Sequence, residues 1–269
     1  MGRLDGKVAF ITGAARGQGR SHAVCMAAEG ADVIISDICG PVGTSGVTPA
    51  TPAELDETVR LVEATGRRCV WDRVDVRDPD ALKALAERGI AELGYIDTVV
   101  ANAGILNWAR THELTQQQWQ DVIDVNLTGA FNTIQAVLPH LLERGKGGSI
   151  IVISSSAGLK GQPFTLSYTA AKHGLVGVTN ALAIEYGEFN IRVNSIHQSG
   201  VTTPMGDVPG LGALIEERAF TVGPVFMNTM PVEFIDPVDV SNAVIYLASD
   251  EARYVTGLQM KVDAGLVGR

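Results

Sequence analysis

The chain has 269 residues, 46% of them hydrophobic and 19% charged, which fits one large domain with ample material for a core. A net charge of −9 argues against a nucleic-acid or anionic-membrane partner, and no apolar run approaches membrane-spanning length. Three cysteines without C-x-x-C spacing imply no disulfide framework and no metal site, and the start carries no apolar signal core, so a soluble, cytoplasmic protein is expected.

Residues 7–12 (KVAFIT) form a short apolar run suited to a strand buried on both faces. The run breaks into Thr12-Gly13-Ala14-Ala15-Arg16-Gly17-Gln18-Gly19 and then a helical stretch to about Glu29. In that order, glycines let the backbone turn tightly and approach a pyrophosphate, while the helix N-terminus supplies amide donors and a positive dipole end. A ligand-free packing turn is the plain alternative, and the flanking strand and helix argue against it.

Residues 32–37 (DVIISD) are the next buried strand, closed by Asp37, which lies 18 positions beyond Gly19. At that distance a carboxylate binds the adenosine ribose hydroxyls and would repel a 2′-phosphate, so Asp37 argues for NAD over NADP. Arg16 is the counter-signal, because an arginine in the glycine loop can contact a 2′-phosphate; Ile38 supplies no second cation. Residues 38–52 (ICGPVGTSGVTPATP) hold six Gly and Pro and read as an irregular insertion, functional or disordered. It leaves directly from Asp37, so it can fold back over the adenosine end of a cofactor.

Thr51-Pro52-Ala53-Glu54 is a capping box that opens a helix reaching Thr65, ended by Gly66. A third strand over 68–76 ends in Asp75-Val76, and Asp78-Pro79 caps a helix to about Leu93. A fourth strand over 97–101 opens into Asn102-Ala103-Gly104. Thr115 and Gln118 repeat the capping logic ahead of a long helix carrying Asn126. The fifth strand, 149–154 (SIIVIS), has serines at its carboxyl end; a helix with Tyr168 and a sixth strand over 191–196 follow. Residues 198–235 are broken by Gly and Pro but carry Met205, Leu214, Phe220, Phe226 and other bulky apolar side chains. Asp236-Pro237 caps a last helix, and 258–262 is a closing strand. This alternation defines an α/β fold: a Rossmann-type doubly wound parallel sheet in a single domain. Ligands of such sheets bind at the carboxyl ends of the strands, where Gly13, Asp37, Asn102 and the serines converge.

Tyr168 and Lys172 stand four apart and share one helix face. A phenol titrates at about 10, too high for a general base at neutral pH, and an ammonium beside it favours the phenolate. A hydroxyl from Ser154, Ser155 or Ser156 can hold a substrate oxygen against the same phenol.

Together these motifs resemble the short-chain dehydrogenase/reductase family over nearly the whole chain. The matching residues are Thr12-Gly13-x3-Gly17-x-Gly19, Asn102-Ala103-Gly104, Asn126, the serine before Tyr168-x3-Lys172, and Asn194 through Thr203. The family's spacing between serine and tyrosine selects Ser155. The resemblance implies Tyr168 as acid/base, Lys172 as its pKa modulator and a ribose ligand, and Asn126 as anchor of a water relay to Lys172. It implies cofactor contacts from Gly13, Arg16, Gly17, Gln18, Gly19, Asp37, Ile38, Asp75, Val76, Asn102, Ala103, Gly104, Tyr168, Lys172, Val201 and Thr203. Gln198-Ser199 departs from the family's Pro-Gly after the sixth strand. The 38–52 insertion with Asp37-Ile38-Cys39 resembles the carveol-dehydrogenase-like, mycofactocin-coupled branch. There the insertion is thought to cover an NAD that does not exchange, with mycofactocin as the external electron carrier. Family resemblance also points to a homotetramer built on the helices of Asn126 and Tyr168.

His22 and Cys25, three apart, have no second pair and are expected to pack in the core rather than bind metal. His173 lies off the catalytic face, His197 sits near the end of the sixth strand, and Trp108 is either an apolar substrate wall or a surface aromatic. The expected activity is interconversion of a hydrophobic secondary alcohol and its ketone with NAD. The alternatives are an NADP-dependent carbonyl reductase and a catalytically silent dinucleotide-binding protein.

Overall fold

The computed structural model describes residues 2–269. Its sheet has seven parallel strands in the order β3-β2-β1-β4-β5-β6-β7. These are β1 (Val8–Thr12), β2 (Asp32–Asp37), β3 (Cys69–Arg73), β4 (Thr98–Ala101), β5 (Gly148–Ile153), β6 (Ile191–Gln198) and β7 (Gln259–Val262). Every residue of β1, β2 and β4 is buried, as it must be where helices cover both faces of a parallel sheet. Alternate side chains feed two cores. Phe10 and Ile34 pack with Leu82 and Leu85 of α3 (Pro79–Leu93), Val137 of α5 (Gly129–Arg144) and Leu175 of α6 (Leu166–Glu185). Ile11 and Ile35 pack with Met26 of α1 (Gly17–Ala28), Leu55 of α2 (Pro52–Glu63) and Val244 of α9 (Pro237–Ala248).

Helix starts follow the sequence closely. Glu54 N donates to Thr51 Oγ1 at 3.3 Å while Thr51 N donates to Glu54 Oε2 at 2.7 Å, and the same reciprocal pair forms at Thr115 and Gln118. Asp78 accepts from Ala81 N at 3.0 Å. Several boundaries differ from the expected ones, and three of them bear on the site. The third strand stops at Arg73, because its partner β2 ends at Asp37 and offers no ladder beyond that register. The Asn126 helix is not continuous: α4 (Gln116–Ile123) runs into a π-helical turn, Asp124–Thr128, before α5 begins. The sixth strand runs two residues further, to Gln198, which pairs with Val262 of β7. Proline, the family's usual residue there, has no N–H to donate.

Residues 199–235 leave the sheet and form short helices, α7 (Leu211–Glu216) and α8 (Ala219–Val222). Among the described residues no helix is long and apolar enough to cross a membrane.

Candidate active site

The strand order reverses between β1 and β4, and the glycine loop sits at that point. Gly13 has φ +69°, and a Cβ there would stand 2.8 Å from Ala103 Cα. A Cβ on Gly19 would collide with the Gly13 carbonyl. Only hydrogen fits at either place. Asn102 braces the turn, its Nδ2 donating to the carbonyls of Thr12 at 2.8 Å and Gly13 at 3.1 Å. No side chain caps the start of α1, so its first amides keep donors for a ligand.

Beside this turn lies a cavity lined by Gly13, Arg16, Gly17, Gln18, Gly19, Asp37, Ile38, Asp75, Val76, Asn102, Ala103, Gly104 and Thr203. Of the expected cofactor residues, Val201, Tyr168 and Lys172 fall outside this lining. Val201 is buried in a bridge with Ile235 instead. Asp37 accepts from Ala15 N at 3.1 Å and from Cys39 N at 3.0 Å, which leaves each carboxylate oxygen a further lone pair. Gln18 Oε1 is buried without a partner, an acceptor that a bound ligand can satisfy. Arg16, the one cation in the lining among the described residues, donates to the Thr48 carbonyl and lies 3.6 Å from Glu54 Oε1. Asp75 is held by Arg77 at 2.5 Å. Glycine floor, free amides, a carboxylate in the lining at the end of β2 and a committed Arg16 fit a dinucleotide without a 2′-phosphate.

The insertion folds over this cavity rather than away from it. Val42, Ser45, Val47 and Thr48 join the lining, and Val42 and Val47 pack on the core. Three fastenings hold it. Arg16 takes the Thr48 carbonyl, Asn107 Oδ1 accepts from Gly46 N at 2.9 Å, and Asp121 Oδ2 accepts from Thr44 N at 2.7 Å and Thr44 Oγ1 at 2.8 Å. Asn107 and Asp121 carried no sequence signal, since a lone polar residue does not announce a partner across the fold.

Next to the cavity, Ser155, Tyr168 and Lys172 form a buried cluster. Geometry distinguishes the three serines. Ser154 Oγ donates to the Lys172 carbonyl at 3.0 Å, and Ser156 Oγ accepts from Gln162 Nε2 at 3.2 Å. Ser155 Oγ accepts from Ala157 N at 3.1 Å, and its hydroxyl lies beside the Tyr168 phenol and lowers the phenol's pKa against the pull of burial. Lys172 Nζ donates to the Ile153 carbonyl at 2.7 Å and sits 5.4 Å from the Tyr168 ring centroid. The expected lowering of the Tyr168 pKa is not what these residues alone produce. Burial pushes the phenol up to about 12, with the Ser155 hydroxyl opposing, and pulls Lys172 down to about 7. Further positive charge is needed to make the phenolate accessible. Asn126, in the π turn, spends its side-chain amide on Ile105, accepting from the backbone N at 2.8 Å and donating to the O at 2.9 Å.

Other candidates resolve plainly. His22 is buried against Ser241, with Nδ1 2.8 Å from its Oγ. Among the described residues no cluster of three or more His, Cys, Asp or Glu side chains can hold a metal. His173 Nδ1 lies 2.9 Å from the Thr169 carbonyl on the exposed side of α6. Trp108 is half-buried against the core, with Nε1 enclosed and unpartnered, so it is not a surface aromatic.

A doubly wound sheet with a dinucleotide cleft and a buried Ser-Tyr-Lys cluster at its carboxyl edge defines an oxidoreductase of the Rossmann type. Residues 13–267 match a family model described as enoyl-(acyl carrier protein) reductase, and the chain belongs to the short-chain dehydrogenase/reductase family. It is 43% identical to the (−)-trans-carveol dehydrogenase of Rhodococcus erythropolis, over 98% of this chain and 99% of that one. Among solved structures, a short-chain dehydrogenase from Mycobacterium paratuberculosis bound to NAD superposes with a TM-score of 0.97 at 47% identity, over all of both chains. Carveol dehydrogenase from Mycobacterium avium in complex with NAD follows with 0.93 at 46%, again over all of both chains.

Proposed function

We propose that the protein is an NAD-dependent dehydrogenase that interconverts a hydrophobic secondary alcohol and its ketone, with its NAD retained beneath the 38–52 insertion. The Ser155–Tyr168–Lys172 cluster beside the cleft that the insertion partly covers carries this reading. NAD held by the glycine loop and Asp37 would supply the hydride acceptor and the positive charge of its oxidised nicotinamide. Tyr168 takes the hydroxyl proton as the carbon gives up its hydride. Ser155 orients the substrate oxygen against the phenol, and Lys172 holds positive charge beside it. Asn126 fixes Ile105 behind Gly104, and its place in the π turn is consistent with the water-relay role that the family resemblance suggests.

The NADP alternative is disfavoured because Asp37 faces the ribose position and Arg16 is committed to the insertion. Apolar side chains exposed along 198–235, among them Phe220, Met227, Met230 and Phe234, suit an alicyclic or terpenoid alcohol, as does the likeness to carveol dehydrogenase. A cofactor held beneath a fastened loop must be reoxidised in place, and mycofactocin is the carrier proposed. Mass spectrometry of the purified protein, followed by carveol oxidation with and without an artificial acceptor, tests the reading. Retained NAD with turnover that requires the acceptor is expected. Empty protein that sustains turnover with free NAD alone overturns the retention and the external carrier together.

A further inference from the structure

The turn that presents Ser155 is held by side chains of the neighbouring strand. Its backbone carbonyls at 153, 154 and 155 emerge where β5 ends and the sheet ladder stops. Each meets a side-chain donor. Lys172 Nζ reaches Ile153 O at 2.7 Å, Gln198 Nε2 reaches Ser154 O at 3.3 Å, and His197 Nδ1 reaches Ser155 O at 2.8 Å. His197 and Gln198 are consecutive on β6, so their side chains leave opposite faces of the sheet. They therefore hold two successive carbonyls from two sides.

The His197 contact fixes its chemistry. A carbonyl oxygen accepts only, so Nδ1 must carry the proton; Nε2, 2.8 Å from Ser195 Oγ, must then accept. The ring is fully buried and burial lowers its pKa, so the neutral donor persists through the physiological range. The titratable groups that face it are Lys172 and His173 on α6 and Asp263 after β7; Ser155 O accepts besides from Gly158 N of its own turn, at 2.8 Å, so His197 is the donor that ties this carbonyl to the neighbouring strand. Gln198 stands where the family usually has proline, which offers no side-chain amide. This chain thus has a second donor at the turn that a Pro-Gly sequence lacks.

We propose that His197, with Gln198, is a positioning residue of the active site: it sets the Ser155 hydroxyl against Tyr168 by pinning the Ser155 carbonyl. The role in turnover rests on the dehydrogenase reading above; the pinning itself does not. Asparagine at 197 places an N–H where Nδ1 stands, one bond beyond Cγ, whereas glutamine places it one atom further out. His197→Asn should therefore keep the contact, and His197→Gln should lose it.

Two measurements test this. In protein carrying 13Cζ-tyrosine, the Tyr168 resonance, assigned by its absence in Tyr168→Phe, reports the Ser155 contact without any substrate. It should shift in His197→Gln and return in His197→Asn. In carveol oxidation, kcat should fall about tenfold or more in His197→Gln, with KM within about threefold, and recover in His197→Asn. A Tyr168 resonance unmoved in folded His197→Gln, or equal behaviour of both variants, overturns the proposal. A shifted and restored resonance in a protein that oxidises no alcohol would sink the dehydrogenase reading and leave the pinning intact. If neither His197 variant folds, Gln198→Leu, which removes only the Ser154 bond, should displace the same resonance more weakly; no displacement there also overturns the proposal.

Discussion

Asp121→Ala should release the cofactor faster by loosening the insertion. Asp121 is buried and accepts two bonds from Thr44, at 2.7 and 2.8 Å. Burial pushes its carboxyl up, but the Thr44 and Gln117 hydrogen bonds outweigh that and hold it below the usual carboxylate range. It is therefore ionised, and each bond to it contributes roughly 1.5–3 kcal/mol. Opening the insertion exposes Thr44 to water, which recovers part of that, so a net loss of about 2 kcal/mol is reasonable for the pair. At about 1.4 kcal/mol per tenfold, the open population rises about thirtyfold. If opening gates release, the NADH dissociation rate rises by the same factor. Thr44→Val keeps the backbone bond to Asp121 and removes the hydroxyl bond, with the long 3.4 Å contact from Asn107 Nδ2, and should give roughly fivefold on the same scale. Stopped-flow loss of NADH fluorescence on mixing with excess NAD reads both. A dissociation rate within twofold of the parent, in an Asp121→Ala protein of unchanged fold, refutes the gating argument. The sign with pH is also set: a depressed carboxyl keeps the fastening above the ordinary carboxylate range and loses it only as pH falls through the lower folded value.

Tyr168→Phe should lower turnover about 10²–10⁴-fold while leaving NAD affinity and the circular dichroism spectrum unchanged; turnover above about a hundredth of the parent would remove Tyr168 as acid/base. Asp37→Ala should weaken NAD binding and narrow its advantage over NADP in a fluorescence titration, and a parent protein that already prefers NADP would contradict the role given to Asp37. His22 is held neutral down to about 3 by burial, against about 6.5 when unfolded, so the unfolded chain binds the extra proton first and stability falls as pH drops below about 6.5. By pH 5 that loss is roughly 2 kcal/mol, and urea unfolding of His22→Gln should show a pH dependence flatter by that amount. Phe131 on α5, with Leu166 and Ile184 on α6, leaves these helices apolar and exposed, so sedimentation at micromolar concentration should give a tetramer; a monomer would contradict the proposed assembly.

Much of the cofactor site was legible because its determinants are local. The glycine loop, the carboxylate that closes β2, the capping boxes at Thr51 and Thr115, and the four-residue step from Tyr168 to Lys172 depend on periodicity and short spacing alone. The buried strands were equally plain, since a parallel sheet needs apolar side chains on both faces. What the chain could not reveal by itself were contacts that exist only once distant segments meet. Thr44 and Asp121 are 77 positions apart, and nothing in either neighbourhood names the other. Arg16 stood as a counter-signal, able to contact a 2′-phosphate, and its commitment to the insertion exists only in the folded chain. Ser154, Ser155 and Ser156 are chemically alike in sequence, and the Lys172 carbonyl and the Gln162 amide separate them only by position. The phenol of Tyr168 followed the same rule: helical spacing placed the lysine, but burial, a property of the packed core, decided which way its pKa moved.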